Sequence, residues 1–219
     1  MVTVRVWDVP TRLFHWALVL CLLGLVLTGQ TGGDAMVWHF RLGYAVLTLL
    51  GFRLLWGVVG GHWSRWSRLP LSPASALAYW RGRAPLHHTV GHNPLGAWSV
   101  LALLALTALQ AGTGLFSDDE IANAGPLSPL LTGAWVSALT AWHKNLGKAL
   151  LIALVALHVL AIAWYRWRQG EDLLTPMLRG DKVLPAEVPA SRDGAWHWLR
   201  AAVCLAASAA AVRWLIGLG

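Results

Sequence analysis

Five long apolar stretches, separated by polar segments, set the pattern of this sequence. An α-helix rises about 1.5 Å per residue, so roughly 20 apolar residues cross the hydrocarbon core of a membrane. The pattern therefore predicts five membrane-spanning helices, at residues 13–30, 37–59, 95–116, 142–168 and 196–218. Arg200 and Arg213 leave only twelve uncharged residues between them in the fifth stretch, so an interfacial helix is the alternative there.

The composition agrees with a membrane protein. Of the 219 residues, 57% are hydrophobic and only 12% are charged, which is far from the balance of a soluble domain. The 15 tryptophans suit the two interfaces of a bilayer, because indole combines an apolar body with a polar N–H. The net charge of +7 comes without a continuous basic run, so we expect no nucleic-acid partner. The absence of a CxxCH sequence excludes covalent c-type haem on this chain.

The basic residues are distributed unequally among the polar segments. Given the predicted spans, thirteen Lys and Arg lie on the side of the N-terminus and four lie on the other side. Cytoplasmic segments of membrane proteins carry the excess of positive charge. We therefore expect a cytoplasmic N-terminus and, after five spans, a C-terminus on the outer side.

Four histidines lie within or at the ends of the predicted spans, where ionisable side chains are costly and commonly functional. Fifteen residues separate His143 from His158 on the fourth span, which is about 22 Å along the helix axis. His15 lies near the cytoplasmic end of the first span, and His39 lies near the outer end of the second. The four form two pairs by depth, His15 with His158 and His39 with His143, as bis-histidine ligation of two stacked b-type haems requires. The alternative is that each buried histidine hydrogen-bonds to a neighbouring carbonyl.

Glycines and arginines near these histidines are compatible with the haem interpretation. Gly43 and Gly147 each follow a histidine of the outer pair by four residues, which leaves room for a flat macrocycle one helical turn away. Ordinary close packing of helices is the alternative for both glycines. Arg53 and Arg12 are candidates for pairing with haem propionates, with snorkelling to the interface as the alternative. His92 is a candidate for hydrogen bonding to a quinone oxygen or a propionate, with a capping role as the alternative.

Four pieces of the sequence resemble the bacterial cytochrome b561 and nickel-hydrogenase cytochrome b family: VRVWDVPTRLFHW, HFRLGYAVLTLLGFRLLWG, GHNPLGAWSVLALLALTALQAGTGLFSDD and WHKNLGKALLIALVALHVLAIAWY. The resemblance covers residues 4–181 in the family's order and spacing. It implies a multi-pass protein of the bacterial inner membrane, whose four-helix dihaem core exchanges electrons between quinone and a partner outside the membrane. The family's axial ligands correspond to His15, His39, His143 and His158.

The predicted fold is accordingly all-α: an integral membrane four-helix bundle that binds two b haems, plus a fifth C-terminal transmembrane helix. We expect residues 1–185 to form the dihaem domain. Residues 186–219 would form a polar linker and the fifth helix, which departs from the minimal family pattern.

The leading functional hypothesis is a membrane dihaem cytochrome b that transfers electrons across the bilayer between the quinone pool and a periplasmic redox partner. A c-type cytochrome is the preferred partner, because the first loop outside the membrane is very short compared with that of hydrogenase cytochrome subunits. The alternatives in this class are the cytochrome b subunit of a nickel-iron hydrogenase and a superoxide:quinone oxidoreductase. A cation-handling membrane transporter is the alternative from another class, although no Asp or Glu lies within a span.

The expected cofactors are two non-covalent b haems, with quinone or quinol as the substrate. The acidic loop at residues 117–141 carries Asp118, Asp119 and Glu120 and is the candidate docking surface for a basic redox protein. Membrane lipid is a further expected partner, as are further copies of this chain in a homo-oligomer.

Overall fold

The computed structural model describes every residue from Met1 to Gly219, and it consists of helices with one small sheet. The helices are α1 Val9–Thr31, α2 Met36–Val59, α3 Pro73–Trp80, α4 Pro94–Gly114, α5 Gly133–Ala141, α6 Gly147–Trp164, α7 Leu174–Arg179 and α8 Ala195–Ile216. Two π-helical segments, Trp142–Leu146 and Tyr165–Gln169, join α5 to α6 and extend α6. The strands β1 Val2–Arg5 and β2 Asp181–Leu184 pair antiparallel.

Five helical segments are long and apolar enough to cross a membrane: Val9–Thr31, Gly33–Val59, Pro94–Gly114, Gly133–Gln169 and Ala195–Ile216. The predicted all-α membrane fold with a fifth helix is thereby confirmed. The fourth segment begins at Gly133, nine residues before its predicted start, because the sequence GAWVSALTA contains no proline or charge that would end a helix. The last nine residues of the predicted loop 117–141 are therefore helical.

Apolar side chains cover the outer surface of these helices. Leu20, Leu27 and Leu160 each leave about two thirds of their surface exposed, at 68%, 67% and 66%. Water penalises such exposure, whereas hydrocarbon does not. Backbone groups in the helices bond within the segment, as the interior of a bilayer requires.

The chain forms two compact units whose segments alternate along the sequence. The first unit comprises Met1–Phe14, Arg53–Ala102 and Ala156–Cys204, and the second comprises His15–Phe52, Leu103–Val155 and Leu205–Gly219. The predicted functional division into residues 1–185 and 186–219 stays a prediction.

The first unit is organised around the β1–β2 pair. Val2 lies opposite Leu184 in the register, and the backbone N–H groups of Val6 and Trp7 continue the pairing by donating to the Gly180 carbonyl at 2.8 and 3.1 Å. The apolar core beneath this pair consists of Val4, Val6, Trp7, Trp63, Val90 and Leu184. Strands of four residues are too short for an alternating pattern to stand out in the sequence, so the prediction missed this sheet.

A segment that precedes α8 is bound to the N-terminal strand; we call residues 186–194 the strap. Ser191 donates its backbone N–H to the Arg5 carbonyl at 2.8 Å and its hydroxyl to the Val6 carbonyl at 2.6 Å. Asp193 accepts from the Arg5 guanidinium at 2.8 Å and from the Val9 N–H at 2.8 Å. The strap is therefore an integral part of the first unit.

Asp8 fixes the start of α1 from a fully buried position. Its Oδ1 accepts from the backbone N–H of Thr11 at 2.8 Å and from the Trp56 indole at 3.1 Å, and its Oδ2 accepts from the Ser64 hydroxyl at 2.6 Å. A carboxylate at a helix N-terminus satisfies unpaired N–H groups and faces the positive end of the helix dipole. Asp8 thus joins the start of α1 to α2 and to the segment that follows α2.

Small residues bring helices close together in the second unit. A Cβ added at Gly51 of α2 would lie 3.1 Å from the Cβ of Ser208, and one at Gly24 of α1 would lie 2.7 Å from Leu42 Cδ1. Close approach at small residues is a common mode of helix packing in membranes. The fifth helix, α8, therefore packs on α2.

Candidate haem-binding site

The structure places the two histidines of the predicted outer pair side by side in the second unit. The ring centroids of His39 and His143 are 6.1 Å apart, and the rings are nearly perpendicular at 86°. A metal-bound imidazole nitrogen lies about 2 Å from its ion, so an ion held between two imidazoles places the ring centroids roughly 6 Å apart. The spacing fits bis-histidine ligation.

Backbone carbonyls orient both imidazoles. Nδ1 of His39 lies 3.1 Å from the Leu25 carbonyl oxygen, and Nδ1 of His143 lies 2.8 Å from the Gln110 carbonyl oxygen. Because a carbonyl oxygen only accepts, Nδ1 carries the hydrogen in each ring and Nε2 keeps its lone pair. This arrangement of the outer hydrogen bond is typical of metal-binding histidines, since it fixes both the tautomer and the ring orientation.

A Thr-Gly pair lies against each of these imidazoles. Thr28 Oγ1 is 3.2 Å from His39 Nδ1, and Thr113 Oγ1 is 3.4 Å from His143 Nδ1. A Cβ at Gly29 would lie 3.1 Å from His39 Cε1, and one at Gly114 would lie 2.8 Å from His143 Cε1. The glycines allow the rings to rest directly on the backbones of α1 and α4.

The sequence prediction missed these four residues. A detectable signal was present, because the same dipeptide recurs as Thr28-Gly29 and Thr113-Gly114, towards the C-terminal ends of the first and third spans. The sequence prediction relied on Gly43 and Gly147, which follow the histidines in their own helices. The structure adds the glycines of the neighbouring helices.

The two glycines that were predicted to pack against haem lie in different surroundings. A Cβ at Gly43 would meet nothing within 4 Å, so space is open beside this position. A Cβ at Gly147 would collide with the side chains of Gln110 and Trp142. Gln110 Oε1 and Trp142 Nε1 are buried without a hydrogen-bond partner. Haem packing at both glycines stays a prediction.

The other two predicted ligands belong to different units, so their pairing stays a prediction. His15 in α1 belongs to the second unit, where its partly buried ring meets Trp16 edge-on at a centroid distance of 5.0 Å. His158 in α6 belongs to the first unit and is also partly buried.

Arg53 combines deep burial with an unsatisfied donor. Its side chain is almost fully buried, at 4% exposure, and its guanidinium carbon lies 4.0 Å from the centroid of the Trp66 ring. Nη1 is buried without a hydrogen-bond partner. A buried guanidinium nitrogen is costly to leave unpaired, and a carboxylate is the acceptor that best matches it. These surroundings fit the predicted propionate partner.

The remaining predicted residues, Arg12 and His92, have partners within the first unit. Arg12 Nη1 donates to the Leu178 carbonyl at 2.6 Å, near the C-terminal end of α7. The ring of His92 is tilted against Trp7 at a centroid distance of 4.7 Å. Their roles towards a propionate or a quinone stay predictions.

Comparison with known proteins shows which family the chain matches. Residues 6–180 match the family described as prokaryotic cytochrome b561. A probable Ni/Fe-hydrogenase B-type cytochrome subunit from Azotobacter chroococcum mcd 1 is 27% identical over 225 residues, covering 85% of this chain and 91% of that protein. A probable Ni/Fe-hydrogenase 1 B-type cytochrome subunit from Escherichia coli (strain K12) is 26% identical over 212 residues, covering 80% and 88%.

No solved structure matches the chain. The family match spans most of the sequence and includes every predicted ligand, from His15 to His158. The structure supplies the expected apolar helices, and it brings two of those ligands together. The chain therefore belongs to the prokaryotic cytochrome b561 family and is a membrane b-type cytochrome.

Proposed function

We propose that this cytochrome carries electrons through two b haems between the membrane quinone pool and a redox protein outside the cytoplasm. The observation that carries the proposal is the facing pair His39 and His143, whose Nδ1 atoms both lie on backbone carbonyls. A bound b haem supplies one-electron redox chemistry. His39 and His143 would hold one haem, and His15 and His158 would hold the other.

The charge distribution supports a cytoplasmic N-terminus. The first unit, which includes the N-terminus, contains thirteen of the 17 Lys and Arg residues, and the second unit contains four. Cytoplasmic segments carry the excess of basic residues. The N-terminus would then lie in the cytoplasm of a bacterial inner membrane, and the haem at His39 and His143 would lie near the outer surface.

A nickel-iron hydrogenase is the partner that the relatives favour. Both relatives described above carry a hydrogenase cytochrome subunit in their names. A c-type cytochrome is the second candidate, because α1 and α2 are connected by only the residues 32–35, and the acidic residues 118–120 could receive a basic surface. Reconstituted protein offered either hydrogen with a hydrogenase or a reduced c-type cytochrome would separate the two partners by the rate of haem reduction.

The haem content tests the cofactor assignment. We expect about two haems per chain, all extracted by acid–acetone, because four histidines are available and no CxxCH sequence can hold haem covalently. The measurement is the ratio of pyridine haemochrome to protein after purification. A ratio near one, or haem that stays attached to the chain, would contradict the assignment.

The acidic residues 118–120 are not equivalent as docking groups. Asp119 accepts from the backbone N–H groups of Ile121, Ala122 and Asn123 and from the Asn123 side chain, at 2.7–3.0 Å. These bonds, above all the one from the Asn123 side chain, hold the pKa of Asp119 well below its usual range, and they assign it a role in shaping the loop. Glu120 is exposed and is the better test of docking.

Replacing Glu120 with Gln should slow electron exchange with a basic c-type cytochrome by roughly two- to threefold at low ionic strength, because charge steers association. The difference should vanish at high salt. Stopped-flow haem reduction gives the rates, and Glu187→Gln in the first unit removes the same charge as a matched control. Equal slowing by both variants would contradict a local docking role.

A further inference from the structure

Two phenols and an amide meet in the first unit. Tyr79 of α3 and Tyr165, the residue that follows α6, place their hydroxyl oxygens 3.0 Å apart. Asn93, which precedes α4, donates from Nδ2 to Tyr79 at 3.2 Å and to Tyr165 at 3.0 Å. All three side chains are partly buried, so none of them is fully enclosed by the protein.

One phenolic hydrogen of the cluster has no acceptor among the three side chains. Asn93 Oδ1 accepts from the Gly96 backbone N–H at 2.8 Å, which fixes the amide with its NH2 group towards the phenols. Both amide hydrogens are then used, one for each phenolic oxygen. Of the two phenolic hydrogens, one forms the bond between Tyr79 and Tyr165. The other has no acceptor within the cluster and is available to a ligand.

The surroundings keep the Tyr79 phenol protonated. Burial, together with the hydrogen bond that Tyr79 shares with Tyr165, raises the pKa of Tyr79 above its ordinary value. The Glu171 carboxylate adds to this effect by its charge, and it is itself held by Lys182 at 2.7 Å. The cluster therefore presents a neutral O–H donor at neutral pH, which suits a carbonyl oxygen as acceptor.

Two features indicate which class of ligand would provide a carbonyl oxygen to this donor. Trp80 and Trp167, each within two residues of a cluster tyrosine, are exposed to 87% and 82%, as is typical of side chains at a membrane interface. Tyr165 follows His158 by seven residues, which places it on the same side of the helix and about 10 Å further along the axis. A lipid-soluble carbonyl compound at this position would lie close to the haem that His158 would ligate.

We propose that Tyr79, Asn93 and Tyr165 form the binding site for the head group of a membrane quinone, with the spare phenolic hydrogen donated to a ring carbonyl oxygen. This inference rests on the proposed function, because it names the residues that receive the quinone. It concerns binding and orientation of the head group. The alternative is a purely structural role, in which the three side chains only hold α3, α4 and α6 together.

The test uses full-length, haem-loaded protein in lipid nanodiscs, with decylubiquinone as the probe. Because either phenol can hold the spare hydrogen, the variant is the double substitution Tyr79→Phe with Tyr165→Phe. Tyr44→Phe is the matched control, since Tyr44 is the remaining tyrosine of the chain and lies in the second unit. We expect the dissociation constant, followed by tryptophan quenching, to rise roughly three- to tenfold in the double variant, as the net contribution of one hydrogen bond predicts. It should be unchanged in the control.

A second measurement uses the parent protein, so it does not require the double variant to fold. Decylubiquinone should protect Tyr79 and Tyr165 of the parent protein from nitration by tetranitromethane, and it should leave Tyr44 unprotected. Equal affinity of parent and double variant, or nitration unaffected by bound quinone, would overturn the site while the proposed function stands. A parent protein with two haems that binds no quinone would overturn the proposed function as well.

Discussion

Replacing His143 with Ala should remove the absorbance of one haem and leave the other intact, lowering the content from about two haems per chain to about one. The physical reason is the position of His143 opposite His39, with 6.1 Å between ring centroids and with its Nδ1 hydrogen held by the Gln110 carbonyl. An iron that loses one of two axial imidazoles loses the low-spin spectrum that bis-histidine ligation gives. Low-temperature spectra of the reduced protein, combined with haem quantitation, provide the measurement.

The pairing is tested by comparing the histidine variants with one another. His39→Ala should affect the same spectral component as His143→Ala, whereas His15→Ala should affect the other. His87→Ala serves as the control, since His87 lies in a short turn outside the spans. If His39→Ala and His143→Ala removed different components, the assignment of these two residues to one haem would be wrong.

The depth of each histidine along the spans was sufficient to predict the neighbours His39 and His143. This worked because a helix of known rise fixes the level of every residue once the direction of the span is assigned. The geometry around the rings could not be obtained in this way. The contacts of Thr28 and Thr113 depend on how α1 and α4 are rotated towards the histidines, and apolar helices without an amphipathic pattern do not reveal their rotation.

The architecture of the first unit was the least predictable part of the fold. The strands β1 and β2 are separated by most of the sequence, and each has only four residues. Arg53 was predicted as a propionate partner from its place on the second span, but its stacking on Trp66 depends on the path of the chain after α2. Short polar segments with several prolines offer no period from which such a path can be read.

The hydrogenase and the c-type cytochrome are both candidate partners for the surface around Glu120. The family assigns the cofactor class, whereas a redox partner is selected by the residues around the exposed edge of the site. In this chain the segment around Glu120 contributes negative charge, and Lys144 and Lys148 follow it on the fourth helical segment. Measurements at different salt concentrations report on this surface independently of haem binding.

Truncation experiments should separate α8 from the strap that precedes it. The sequence alone suggested that the chain could end after Pro185 without loss of haem, because all four predicted ligands precede that position. The structure adds an expectation about stability, since residues 186–194 bind the N-terminal strand. The Trp63 indole also donates to the Pro189 carbonyl, at 2.7 Å.

We expect a chain that ends after Gly194 to keep both haems, and a chain that ends after Pro185 to be less stable by about 3 kcal/mol or more. The estimate assumes about 1 kcal/mol for each of the bonds from Pro189, Ser191 and Asp193, with the partly exposed Arg5 pair discounted. Thermal unfolding followed by haem absorbance compares the two truncated proteins with the full chain. Asp193→Ala in the full chain is a matched control, because it removes strap bonds while α8 stays in place.

Each outcome of the truncation experiment assigns a different role to the strap and to α8. If the protein that ends after Gly194 loses both haems, α8 belongs to the haem-binding bundle, and its packing at Gly51 and Ser208 is essential. If both truncated proteins are as stable as the full chain, the hydrogen bonds of the strap contribute nothing measurable. Retention of haem after Gly194 together with destabilisation after Pro185 would move the boundary of the dihaem domain from residue 185 to the end of the strap. The first unit would then depend on the strap as well as on the N-terminal strand, because the Arg5 and Val6 carbonyls would otherwise lose the hydrogen bonds that Ser191 donates.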